Sequence, residues 1–124
     1  MEIGILGLKG NVIFRFGDCI NDELEKITET DRRSQVEHAA QIIDKTIHSN
    51  YQFFAGNYIA YDLLNNQSRF SDKYTKDDVE HFETYLKSQI EKIDIDVVDF
   101  EFCRHKMLEM YSNTLKNHII ATQK

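Results

Sequence analysis

Residues 34–48, SQVEHAAQIIDKTIH, decide the fold class. Val36, Ala40, Ile43 and Ile47 step by four, three and four, which puts all four on one side of an α-helix. Ser34 followed by Glu37 has the form of a capping box. The spacing predicts a helix running to about His48 with this stripe turned inward.

The same period continues downstream. Residues 51–64 are dense in aromatics, and Ile59, Leu63 and Leu64 extend the run, so a helix is expected from about Asn57 with Gly56 just before it. Asn65–Asp72 is polar and reads as a loop. Thr75-Lys76-Asp77-Asp78 opens a further helix whose inner stripe is Val79, Phe82, Leu86, Ile90 and Ile93. Asp94-Ile95-Asp96 breaks the pattern. The last helix carries Phe100, Cys103, Met107 and Met110 on one stripe, with Leu108, Tyr111 and Leu115 beside it, and should end near Asn113 or Asn117. No proline occurs, so nothing forces a kink.

Upstream, Asn21 reads as an N-cap with Asp22 and Glu23 favourable in the first turn, and Leu24 and Ile27 would face inward. Asn11–Phe16 is β-branched and aromatic and is closed by Gly17-Asp18, which predicts a strand. Its pairing partner would be Ile3–Leu8 or another chain, since one strand cannot stand alone. Gly4, Gly7 and Gly10 lack the spacing of a dinucleotide fingerprint and read as turn positions. The expected fold is α+β and mainly helical. A short N-terminal β strand or hairpin within residues 1–20 is followed by about four helices within 21–118, all in one domain.

Bulk properties exclude several function classes. With 124 residues there is room for one core. A hydrophobic fraction of 41% argues against disorder throughout. The net charge of −6 argues against nucleic acid as a partner, because phosphate binding needs cations to displace counterions. It argues equally against a wide polybasic face for anionic lipid. No apolar run approaches the roughly 18 residues of a bilayer span, and the N-terminus lacks the pattern of a signal peptide. The expectation is a cytoplasmic protein. Cys19 and Cys103 are then buried or idle thiols in a reducing compartment.

No constellation of chemistry-bearing residues emerges. The five histidines (His38, His48, His81, His105 and His118) form no HExxH and no metal-ligand spacing. Cys103 lies on an apolar stripe and reads as a core thiol. Asp77-Asp78 and Asp94 with Asp96 sit where caps and turns are expected, rather than as an acid–base pair. Asp31-Arg32-Arg33 could meet a phosphate at a helix start, but a solvated turn explains it as well. The aromatic segment 51–64 reads first as a core helix, with a lipid- or ligand-facing surface as the alternative. No catalytic, cofactor-binding or metal residue is assigned, and no cofactor is expected.

Several phrases in order carry a resemblance. They are Gly7-Leu8-Lys9-Gly10-Asn11-Val12-Ile13-Phe14-Arg15-Phe16-Gly17, then Ile47-His48-Ser49-Asn50-Tyr51, then Gly56-Asn57-Tyr58-Ile59-Ala60-Tyr61-Asp62-Leu63-Leu64. Lys73-Tyr74-Thr75 and Lys106-Met107-Leu108-Glu109-Met110-Tyr111-Ser112-Asn113 follow. Together they resemble the C-terminal region of bacterial lysophospholipid acyltransferase-like proteins, related to 1-acylglycerol-phosphate acyltransferases and sometimes labelled hemolysin-like. Where the family often reads FGxPI, this chain has Phe16-Gly17-Asp18-Cys19-Ile20. The resemblance implies an α/β catalytic domain upstream of residue 1. There a His-x-x-x-x-Asp motif would supply a general base and the carboxylate that orients it.

None of the five histidines here has Asp five residues on. No functional residue therefore carries over. The implied role is structural, within the phospholipid metabolism of a larger acyltransferase, and the chain alone is not expected to catalyse. Its partner would be the upstream catalytic domain, with peripheral membrane association through the full-length protein. The alternative is a stand-alone helical module, without enzymatic activity, that pairs with a second copy of itself through Val12–Phe16. A small acyl-binding protein using the aromatic segment is a third reading.

Overall fold

The computed structural model describes residues 12–123. Among them are five α-helices and one 3-10 turn: α1 (Asn21–Leu24), α2 (Arg32–Ser49), α3 (Ala55–Asn65), the turn Ser71–Lys73, α4 (Lys76–Ile90) and α5 (Phe100–Thr122). There is no β-strand among the described residues. The expectation of an α+β fold is corrected: this is an all-α fold. Val12–Phe16 has the composition of a strand but no backbone ladder, and without a ladder an extended run is not a sheet element. Side chains hold it instead. The Arg15 guanidinium donates to Gln52 Oε1 at 2.5 Å. Gly17 lies so close to α2 that a Cβ there would stand 2.7 Å from Thr46 Cγ2. The partner strand expected at Ile3–Leu8 lies outside the described residues.

Each helix start has a chemical cause. Asp31 caps α2, its carboxylate accepting from Ser34 N at 3.0 Å. Ser34 thus receives the capping bond rather than making it. Thr75 and Asp78 form the capping box expected at α4, Thr75 N donating to Asp78 Oδ2 at 2.7 Å and Asp78 N to Thr75 Oγ1 at 3.2 Å. Asp99 caps α5 by accepting from Phe102 N at 3.0 Å. The helix expected from Asn57 begins two residues earlier. Asn57 sits in its first turn and accepts from Phe54 N at 3.0 Å. Asn66 ends α3 in the left-handed region (φ 49°, ψ 47°), a conformation asparagine tolerates better than most residues. Gln67 N then reaches back to Asp62 O at 2.9 Å, which closes the exposed helix end.

α5 is the spine. It packs most extensively on α3 and also touches α2 and α4. The core is Ile59 and Ala60 from α3, Phe82 and Leu86 from α4, and Leu108 from α5, with Leu115 and Ile90 also buried. The α4 stripe behaves as the period predicts for Phe82, Leu86 and Ile90, while Ile93 falls past the helix end and is exposed. On α5 the face is rotated from expectation. Leu108, Ser112 and Leu115 are buried, Met107 and Cys103 are half-buried, and Phe100 and Met110 are exposed. The helix continues to Thr122, beyond the expected end at Asn113 or Asn117.

Candidate functional site

Polar groups that could do chemistry are tied into architecture. Asp62 is the one buried carboxylate among the described residues. Its Oδ2 accepts from Phe70 N and from the Tyr74 hydroxyl, both at 2.9 Å, and fastens the turn after α3 to the core. Its Oδ1 is buried without a partner. Burial, and then the Asp62 carboxylate, push the Tyr74 phenol above its usual range. Asn57 Nδ2 donates to Tyr111 O at 2.9 Å and Thr114 Oγ1 at 3.1 Å, joining the start of α3 to α5. His118 Nδ1 donates to the His48 carbonyl at 2.8 Å, which ties α5 to the last turn of α2 and fixes the imidazole proton on that nitrogen.

The remaining histidines are also accounted for. His38 Nδ1 is 3.0 Å from Glu29 Oε1, and His105 Nε2 is 3.1 Å from Glu109 Oε1. His81 is exposed. Backbone bonding, then the His38 contact, hold the Glu29 carboxyl below its ordinary value. No group of three or more His, Cys, Asp or Glu side chains could hold a metal among the described residues. Cys103 is half-buried, as a packed thiol should be, but Cys19 is exposed rather than buried; both are free. Arg33 pairs with Glu37 at 2.9 Å, so the basic pair after Asp31 lies on a solvated helix face.

The aromatic segment forms a ladder of rings rather than a solid core. His48 faces Tyr51, Tyr51 meets Phe53 edge-on, and Phe53 touches both Tyr58 and His118, with centroids 4.9–6.1 Å apart. Tyr58 and Tyr61 close on Phe70. The ladder welds α2, α3 and α5 at one corner. Of the aromatic segment, only Ile59, Ala60 and Asp62 are buried. Tyr111 donates to the Tyr85 hydroxyl at 2.9 Å, and burial followed by this bond raises its phenol above the ordinary tyrosine range.

No match to this chain exists among family models, curated proteins or solved structures. The acyltransferase resemblance therefore rests on the sequence phrases alone. The site has to be read from geometry.

The geometry directs attention to α2. The stripe expected to face inward lies on the surface: Val36 is 61% exposed, Ile43 44% and Ile47 49%, and Ala40 is exposed as well. The face of α2 that meets the rest of the protein is instead the half-buried row of Ala39, Ile42, Thr46 and Ser49. The extended segment runs along the C-terminal end of the open stripe. Ile13, Arg15 and Gly17 line a cleft of about 350 Å³ with Ile47, Tyr51 and Phe54. Phe14 and Phe16 stand almost wholly in solvent at 83% and 94% exposure. The apolar period of α2 was legible in its sequence, but nothing in the period says whether the chain itself or something else covers it.

Proposed function

We propose that this chain is a non-catalytic helical docking region, the C-terminal structural part of a larger lysophospholipid acyltransferase-like protein. One observation carries the reading. Among the described residues, 17 large hydrophobic side chains are exposed while 7 hydrophobic residues form the buried core. The accessible surface is 10034 Å² for a chain of 14.6 kDa, against about 6,900 Å² for a compact monomer of that mass. A fold with this much uncovered apolar surface is suited to being one wall of a larger assembly. The ordered sequence phrases then suggest which assembly. Every histidine and buried carboxylate has a structural partner or lies exposed, which fits a region that supports chemistry carried elsewhere.

No helix of the described residues is long and apolar enough to cross a membrane. A cytoplasmic place, with contact to lipid only through the complete protein, follows from the same reading. The purified chain should transfer no acyl group from acyl-CoA or acyl carrier protein to lysophospholipid. Turnover clearly above a blank would overturn the proposal. The coding sequence just upstream of Met1 is the second test, and an in-frame His-x-x-x-x-Asp is the expected result.

A stand-alone homodimer is the second reading, favoured by the fact that an open helix face can be covered by its own twin. It would pair through α2, since Val12–Phe16 is not a strand. Sedimentation that shows a concentration-independent monomer removes it.

A further inference from the structure

We infer that the apolar face of α2, together with the extended segment Val12–Gly17, is the surface on which an upstream domain of the same polypeptide seats; this rests on the docking role proposed above. Three observations converge on one side of the molecule. Val36, Ala40, Ile43 and Ile47 form a continuous open row along α2, an 18-residue helix. A helix of that length spans roughly 27 Å, enough to lie across a whole domain face. The described chain begins in an extended run packed against the C-terminal end of this helix, where Gly17 touches Thr46 and Arg15 bonds Gln52. Any domain joined through that run is delivered beside the row with no long linker to cross. Phe14 and Phe16 project away from the chain's own core, so they add to the same seat without disturbing the fold.

The chemistry of the occupant follows. Arg33 lies at one end of the row and is already paired with Glu37, and the row itself has no charge. Its partner surface must be apolar at the centre with a polar rim, as the covered faces of docked domains are. A membrane fits less well, because the chain's net charge of −6 opposes approach to anionic lipid.

The test is thiol labelling. With Cys19 and Cys103 replaced by serine, single cysteines are placed on the row by Ile43→Cys and, in a second variant, Val36→Cys. Glu80→Cys on α4, where Glu80 is exposed, is the control off the face. Each variant is made both in this chain and in the polypeptide extended through its natural upstream coding sequence. Labelling at positions 43 and 36 should slow at least tenfold in the extended protein, with the control unchanged. Equal labelling in both forms overturns the seat but leaves the docking role standing. Labelling that slows with concentration in this chain alone means a second copy covers the row, and it overturns the inference. A stop codon directly upstream overturns both.

Discussion

Asp62 and Tyr74 are joined by a 2.9 Å hydrogen bond, and the same carboxylate oxygen takes the Phe70 amide. The bond spans twelve residues and closes the turn between α3 and α4 onto the core. Asp62→Ala leaves a buried amide and a half-buried hydroxyl without an acceptor, and should destabilise the fold by roughly 1–3 kcal/mol. Tyr74→Phe removes only one donor and should cost less. The double variant should fall short of the sum, because both changes break one network. Urea denaturation of the four proteins checks this, and strict additivity would show that the two groups act separately.

Gly56 faces the Phe82 ring so closely that a Cβ would lie 3.1 Å from one ring carbon and 3.2 Å from the next. The ring cannot retreat easily, since it is buried and packs edge-on against Tyr111 at 5.4 Å. Alanine in a helix would ordinarily gain about 1 kcal/mol over glycine. Here crowding should outweigh that gain, and Gly56→Ala should lower stability by a net amount of about 1 kcal/mol or more. In a Phe82→Leu background the same change should become neutral or favourable. Thermal melts of the two pairs decide it.

Asp31 and Asp78 are both held below the ordinary carboxylate range, the first by its bond to Ser34 and the second by the Thr75 amide. A depressed folded pKa means that the ionised cap favours the native state. This stabilisation is fully present above the unfolded aspartate value of about 4 and fades as pH falls through the lower folded value. The Asp31→Ala and Asp78→Ala variants should therefore be less stable than the parent at pH 7. They should converge on it below about pH 3. A deficit that persists undiminished at low pH would mean the carboxylates stabilise through packing rather than charge.

Arg104 reaches from α5 to the Glu83 carboxylate on α4 through two nitrogens. Hydrogen bonding to Glu83 raises the guanidinium pKa further. Both side chains remain partly in water, 27% and 38% exposed. Arg104→Met should cost at most about 1 kcal/mol, because solvent screens the pair and the methionine keeps the packing of the stem. By contrast, Leu86→Ala at the fully buried centre should cost about 2–5 kcal/mol. Reversal of that order in chemical denaturation would mean the pair holds α4 and α5 together more than the core does.

The sequence was informative where local chemistry alone decides. Thr75 with Asp78 is a self-contained signal, and the Phe82–Leu86–Ile90 stripe needed only its period. It misled where a partner decides. Val12–Phe16 has the residues of a strand but no ladder among the described residues, and β-branched composition cannot supply one. Val36–Ile47 has the period of a buried face, yet burial depends on what stands opposite. On α5, Met107 and Leu108 are adjacent apolar residues in a helix rich in them. A broad apolar arc lets the packing partner choose the angle, and α3 chose Leu108 and Leu115. The roles of Asn57, Asp62 and His118 were hidden for a related reason. Each links elements more than ten residues apart or spans a loop, and no local spacing encodes such a bond.

The ring ladder from His48 to Phe70 has an optical meaning as well. The chain contains no tryptophan, so its near-ultraviolet signal comes from tyrosine and phenylalanine, and several of those rings sit at the corner where α2, α3 and α5 meet. Circular dichroism in that band will report the set of that corner without any added label. Loss of the near-ultraviolet bands with the far-ultraviolet helix signal intact would mark a state in which the helices survive but their mutual packing has loosened.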